Sequence, residues 1–245
     1  MEAQYFMTAT IVLLLISQFS PIPQYELPVL QDLRPIRTVD YGHHIINDIE
    51  QHMPPQHIYR DNDKITWAHE TTHGLDAEIR NRYQYENNCY YVLKNKYVIL
   101  PRCKLSLVGI RNVIPDFVMR DTQHLNFYFD NHTWNNAQYI LEEWTAYING
   151  AYMYNEIKPR DGESEVVFAL MFNVYCMYIS LNEPNKEINN FIKYQTLRTR
   201  SAFLNSRSHD AEIFWKKVST GLDYQELRDK IGKEWGKAWS ALLFK

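Results

Sequence analysis

Residues 65 to 80 read ITWAHETTHGLDAEIR, and the spacing inside them decides how the rest of the chain is read. Apolar or small residues recur at Ile65, Ala68, Thr72, Leu75 and Ile79. That near-3.6 period predicts a helix from Asp63 to about Arg82, with one buried face and Asn62 or Asp63 as its cap. On a helix, side chains four apart stand on one side, so His69 and His73 reach toward one point, close enough to share a zinc ion. Glu70 projects about 100° round from His69, outside easy reach of that ion but well placed to hold a water beside it. A pair of merely solvated histidines would need neither Glu70 nor the uncharged Thr71, Thr72, Gly74 and Leu75 around it.

A catalytic zinc site normally has three protein ligands and an open fourth position, so a third ligand is required. The segment 135-NNAQYILEEWTAYINGAY-152 reads as an aromatic-rich helix and offers Glu142 and Glu143, while His124 and His132 are the alternatives. With Thr66, Trp67 and Ala68 upstream and uncharged residues inside, the run His69-Glu70-Thr71-Thr72-His73 resembles the zincin metallopeptidases. The branch with the longer motif HExxHxxGxxH does not fit, because Asp76 stands where it has Gly and Ile79 where it has the third His. Glu143-Trp144-Thr145-Ala146 resembles the E-x-x-A pattern around the metal-binding Glu of gluzincins related to anthrax lethal factor. The resemblance covers these two motifs and the order helix, β-hairpin, helix.

This resemblance implies Zn²⁺ held by His69, His73 and Glu143, with Glu70 as general base and Glu142 facing solvent. It also implies hydrolysis of peptide bonds in a peptide or protein substrate. Zincins often stabilise the oxyanion with a Tyr or His on the cleft wall, and Tyr139 and Tyr147, one turn either side of Glu143, are the candidates. Thermolysin-like members carry an Asp four residues after the ligand to orient a histidine. Here that residue is Tyr147, and Asp76, Asp121 and Asp130 are the possible substitutes. The competing expectation is a non-catalytic secreted binding or toxin-like module with a structural zinc site, its fourth position closed by Cys or His. Glu70 argues against it, since a closed site has no use for a base.

The start of the chain carries an apolar run from about Thr8 to Ile16, followed by Pro21 and Pro23. That length fits a signal-peptide core and falls short of the roughly 20 residues a spanning helix needs. Residues 1–22 are therefore expected to be a signal peptide or N-terminal apolar segment, and the protein secreted or extracytoplasmic. Glu2 and the lack of Lys or Arg before the run are atypical of a signal. Cys89 and Cys103 bracket CYYVLKNKYVILPRC, which reads as a hairpin around Asn95-Lys96. In that hairpin they lie almost opposite, so a disulfide is expected, in keeping with an oxidising compartment. Cys176 lies in an apolar helical run and reads as an inert core thiol. Asn131-His132-Thr133 is a glycosylation sequon.

Elsewhere, a short helix is expected from Asp40 to about His52 with Asp40 as cap. Residues 162–184 read as a buried core helix, and residues 185–245 as two or three amphipathic helices. With no repeat and no dividing linker, residues 23–245 are expected to form one zincin-like domain. Its class is helix-rich α+β, with an active-site helix, a hairpin or small sheet and a helical C-terminal part. At 45% hydrophobic over 245 residues the chain can bury a full core. A net charge of −3 with dispersed Lys and Arg gives no reason to expect nucleic acid.

Overall fold

A computed structural model of the chain describes residues 27–56, 59–82, 88–129, 136–158 and 165–244. Residues 1–22, expected as a signal peptide or N-terminal apolar segment, the sequon, His132 and Asp130 lie outside these residues. The chain divides into two compact units, Leu27–Lys217 and a second from Val218 on. The fold class is α+β, mostly helix with one small antiparallel sheet.

In the larger unit, β1 (Gln31–Asp32), β2 (Asn88–Tyr91) and β3 (Lys96–Leu100) form a sheet in the order β1-β3-β2. The β2–β3 turn takes three successive non-glycine residues into the left-handed region, Leu93, Lys94 and Asn95, with φ of 65°, 56° and 57°. Neighbouring groups hold it there. The Lys94 amide donates to Asp48 Oδ2 at 2.6 Å and the Asn95 amide to the Tyr91 hydroxyl at 3.1 Å. This turn sits earlier than Asn95-Lys96, so Cys89 pairs with Ile99 and Cys103 falls beyond the end of β3. The pairing expected to set Cys89 opposite Cys103 is therefore not the one observed, and all three cysteines are unbonded in this structure.

Helix α1 (His44–Glu50) is shorter than expected because Gly42, at φ 74°, turns the chain just before it. Asp40 accepts from the Gly42 amide at 2.9 Å and stabilises that turn, so it is not the cap. Glu50, at the end of α1, is fully buried yet well partnered. It accepts from Arg37 at 2.6 Å, Arg60 at 3.0 Å and the Trp67 indole at 3.0 Å. A buried carboxylate needs such partners, and these tie α1 to the next helix.

Helix α2 (Lys64–Arg82) carries the motif. Asp63 caps it, accepting from the Ile65 amide at 2.9 Å and the Thr66 hydroxyl at 2.7 Å. All five residues expected on its inner face are buried. Ile65, Ala68, Leu75 and Ile79 join a core made with α1, the sheet and Met153. Two short helices, α3 (Leu107–Val113) and α4 (Asp116–Asp121), and a 3-10 helix (Gln123–Phe129) lead to α5 (Ala137–Ile157). Asn136 caps α5 by accepting from the Gln138 amide at 3.0 Å. This helix packs against α2 on one side and α6 (Glu165–Asn182) on the other. Helix α6 is long and apolar enough to cross a membrane, but 72% of it is buried inside the protein, as a core helix is.

The described C-terminal region holds four α-helices and a short 3-10 helix (Leu222–Tyr224) where two or three helices were expected. Helices α7 (Lys186–Asn205) and α8 (His209–Thr220) follow α6, and α7 packs on both α6 and α5. The smaller unit contains α9 (Gln225–Glu234) and α10 (Lys237–Phe244), separated by Gly236 at φ 98°. Within it Trp235 packs on Trp239 at 5.6 Å, and Arg228 donates to the carbonyls of Val218 and Gly221.

Candidate metal centre

The face of α2 opposite its core residues meets α5 in a cleft of about 460 Å³. Helix α2 contributes Thr66, His69, Glu70 and His73, and α5 contributes Tyr139, Glu142, Glu143 and Tyr147. The 3-10 helix adds Tyr128, and the first residue of α6 adds Glu165.

The two helices are held in register by a buried amide. Asn149 on α5, six to seven residues after the two glutamates, donates to Thr72 Oγ1 at 3.1 Å and to the Tyr91 carbonyl at 3.0 Å. Its oxygen accepts from Arg198 of α7 at 2.7 Å. Thr72 lies beside His73, so this contact sets how far the histidines stand from α5.

His69, His73 and Glu143 converge, each offering one ligand atom. The two Nε2 atoms are 3.2 Å apart, and Glu143 Oε2 is 3.5 Å from that of His73 and 3.8 Å from that of His69. These three can hold a metal ion. No fourth His or Cys joins them among the described residues. His124, the other described candidate, is exposed on the 3-10 helix and is not part of the group.

Behind each imidazole stands a carboxylate. Glu165 Oε2 is 3.3 Å from His69 Nδ1, and Glu142 Oε1 is 3.6 Å from His73 Nδ1. Glu142 is itself paired with Arg80 at 3.1 Å. This corrects the expectation that Glu142 faces solvent: His73 and, two turns further along α2, Arg80 draw it inward. It also corrects the choice of orienting groups. Asp76 is fully buried and accepts from the Tyr91 amide at 2.6 Å, and Asp121 pairs with Lys217 at 2.6 Å, whereas the carboxylates beside the two imidazoles are those of Glu165 and Glu142. Tyr147 meets His69 through its ring, edge to face at 4.4 Å, and its hydroxyl bonds that of Tyr128 at 2.7 Å.

The electrostatics follow from this ring of charge. Burial opposes a charge on either histidine, but Glu142 and Glu143 overcome it and raise His73 to about 10. His69 is raised in the same way by Glu143 and Glu165. Burial pushes Glu143 up, yet the two histidines outweigh it and bring the carboxyl down to about 2. The centre therefore favours positive charge between its donors. Burial raises the phenols of Tyr128 and Tyr147, which keeps both protonated as hydrogen-bond donors.

Glu70 is exposed to the cleft and makes no hydrogen bond or ion pair among the described residues. Tyr139 lines the same cleft, its ring 5.9 Å from that of Tyr128. Sequence reasoning missed Tyr128 and Glu165. Glu165 lies 96 residues from His69 and reads locally as an acidic start to an apolar helix, so nothing in its surroundings points to an imidazole. A search with family models finds no match for this chain, and comparison with curated proteins and with solved structures finds none either.

Proposed function

We propose that this chain is a zinc-dependent metallopeptidase of the gluzincin type, with His69, His73 and Glu143 as metal ligands and Glu70 as general base. One observation carries the reading: three donors converge, the far nitrogen of each histidine faces a carboxylate, and a free carboxylate lies alongside in an open cleft. In a tetrahedral zinc site with bonds of 2.0 to 2.2 Å, ligand atoms stand about 3.3–3.6 Å apart. The separations here, 3.2, 3.5 and 3.8 Å, bracket that spacing to within about 0.2 Å. Carboxylates on the outer ring nitrogens, with Nε2 turned inward, are the usual support for histidine ligands.

When bound, zinc supplies a Lewis acid that polarises a carbonyl and makes water acidic near neutral pH. The chain does the rest. Glu70, having no competing partner among the described residues, accepts the proton of the attacking water and delivers it to the departing amine. Tyr128 and Tyr147 share one hydrogen bond between two hydroxyls, which leaves one phenolic proton to donate to the oxygen that gains charge. Tyr139 borders the same space. A closed structural site would need a fourth side chain, and the described group has none.

The deciding experiment is Glu70→Gln, which keeps size and removes the base. Zinc content and thermal stability should match wild type, while peptide turnover falls by about 10² to 10⁴. A broad peptide library is the substrate, with chelation and zinc restoration as the control for contaminating proteases. Equal cleavage by the two proteins would refute the mechanism. A zinc-loaded wild type that cleaves nothing would favour the binding module.

A further inference from the structure

Phe127 is the one phenylalanine or tryptophan among the described residues that is left exposed, at 60%. Its place on the 3-10 helix explains why. With three residues per turn, Leu125 and Tyr128 turn inward together and Phe127 turns out between them. Its ring lies 4.0 Å from that of Tyr128, a wall of the cleft. Tyr128 is 6.4 Å from Tyr147, and Tyr147 is 4.4 Å from His69. An aromatic path thus runs from a metal ligand to the surface.

We propose that Phe127 and Tyr128 form a subsite for an aromatic or large aliphatic side chain of the peptide substrate, displaced from the scissile bond. This rests on the peptidase reading. The three ring-to-ring steps bound the distance from His69 to Phe127 at about 15 Å, and an extended peptide advances about 3.3 Å per residue. The recognised side chain therefore lies within about four residues of the bond cut. The occupant is apolar because the surface it meets is the exposed ring of Phe127, backed by the buried ring of Tyr128. A buried aromatic contact of this kind strengthens binding by about tenfold.

The test uses end-blocked hexapeptides in which Phe replaces Ala at each position in turn. Cleavage is measured with the zinc-loaded wild type and with Phe127→Ala, and binding with Glu70→Gln and with Glu70→Gln combined with Phe127→Ala. The expected result is a preference of about tenfold for Phe at one position within four residues of the scissile bond. It should appear in KM and in binding, not in kcat, and Phe127→Ala should abolish it while Phe127→Tyr retains it. Cleavage with no Phe preference, or with one that survives Phe127→Ala, overturns the subsite and leaves the peptidase reading standing. A Phe127-dependent preference in binding without any cleavage keeps the subsite and overturns the peptidase. Neither binding preference nor cleavage overturns both.

Discussion

Three glutamates surround the histidines, and truncating each to Ala should lower zinc affinity in the order Glu143, Glu165, Glu142. Glu143 offers a ligand atom itself. Apparent zinc binding energies of about 10–16 kcal/mol, shared among the ligands of a site, put one donor at about 3 kcal/mol or more, a hundredfold or larger loss. Glu165 acts one bond further out. Its oxygen is 3.3 Å from His69 Nδ1, so its removal releases the tautomer and ring orientation of a ligand without removing the ligand. Losing such support typically costs about 10–100-fold. Glu142 stands 3.6 Å from His73, past good hydrogen-bond length, and shares its charge with Arg80, so less than about tenfold is expected. Competition against a chromophoric chelator gives the three affinities, and circular dichroism checks that each variant is folded. Equal losses for Glu142→Ala and Glu143→Ala would remove Glu143 as the ligand and return the histidines at 124 and 132 to contention. An unchanged affinity in Glu165→Ala would mean that its contact orients nothing.

A Cβ added at Gly150 would stand 3.1 Å from Glu165 Oε2, so Gly150→Ala must shift that carboxylate by a few tenths of an ångström. Zinc affinity should drop several-fold, toward the lower end of about 10–100-fold, while the helix gains up to about 1 kcal/mol of propensity; a variant with unchanged affinity counts against the role of Glu165. His52 is buried, and burial, outweighing its contacts with the Arg34 carbonyl and Asn95, lowers its pKa below 6.5, so the fold takes up a proton less readily than the unfolded chain does near 6.5. Its contribution to stability is therefore complete above about pH 6.5 and is lost as pH falls toward the folded value. Unfolding midpoints between about pH 7.5 and 5.5 should slope less in His52→Gln than in wild type, and parallel slopes would refute this. Denatured without reductant, the chain should react with three equivalents of a thiol reagent, whereas in the native state Cys89, pushed up to about 12 by burial, should react slowly. Recovery of a single thiol from the denatured chain would restore the disulfide.

Helix α2 is legible in the amino-acid sequence because everything that defines it lies within the helix or one residue ahead of it. The period of Ile65, Ala68, Thr72, Leu75 and Ile79, the cap at Asp63 and the four-residue spacing of the histidines follow from local geometry. The core character of α6 is legible for the same reason, since an apolar run with no polar face has no orientation to choose. Glu142 and Glu143 are different. Neighbours on a helix point about 100° apart, and only the packing of α5 against α2, held by Asn149, Thr72 and Arg198, decides which faces the histidines. The hairpin register escapes local rules because its turn has no glycine. Asp48 and Tyr91 hold Leu93, Lys94 and Asn95 in a left-handed path, which moves Cys89 opposite Ile99 and away from Cys103. Glu165 and Tyr128 come from other elements, and their hydrogen bonds to His69 and Tyr147 exist only once the chain has folded. A side chain's neighbours within one turn are set by the backbone period, and those from a distant element only by how the elements pack.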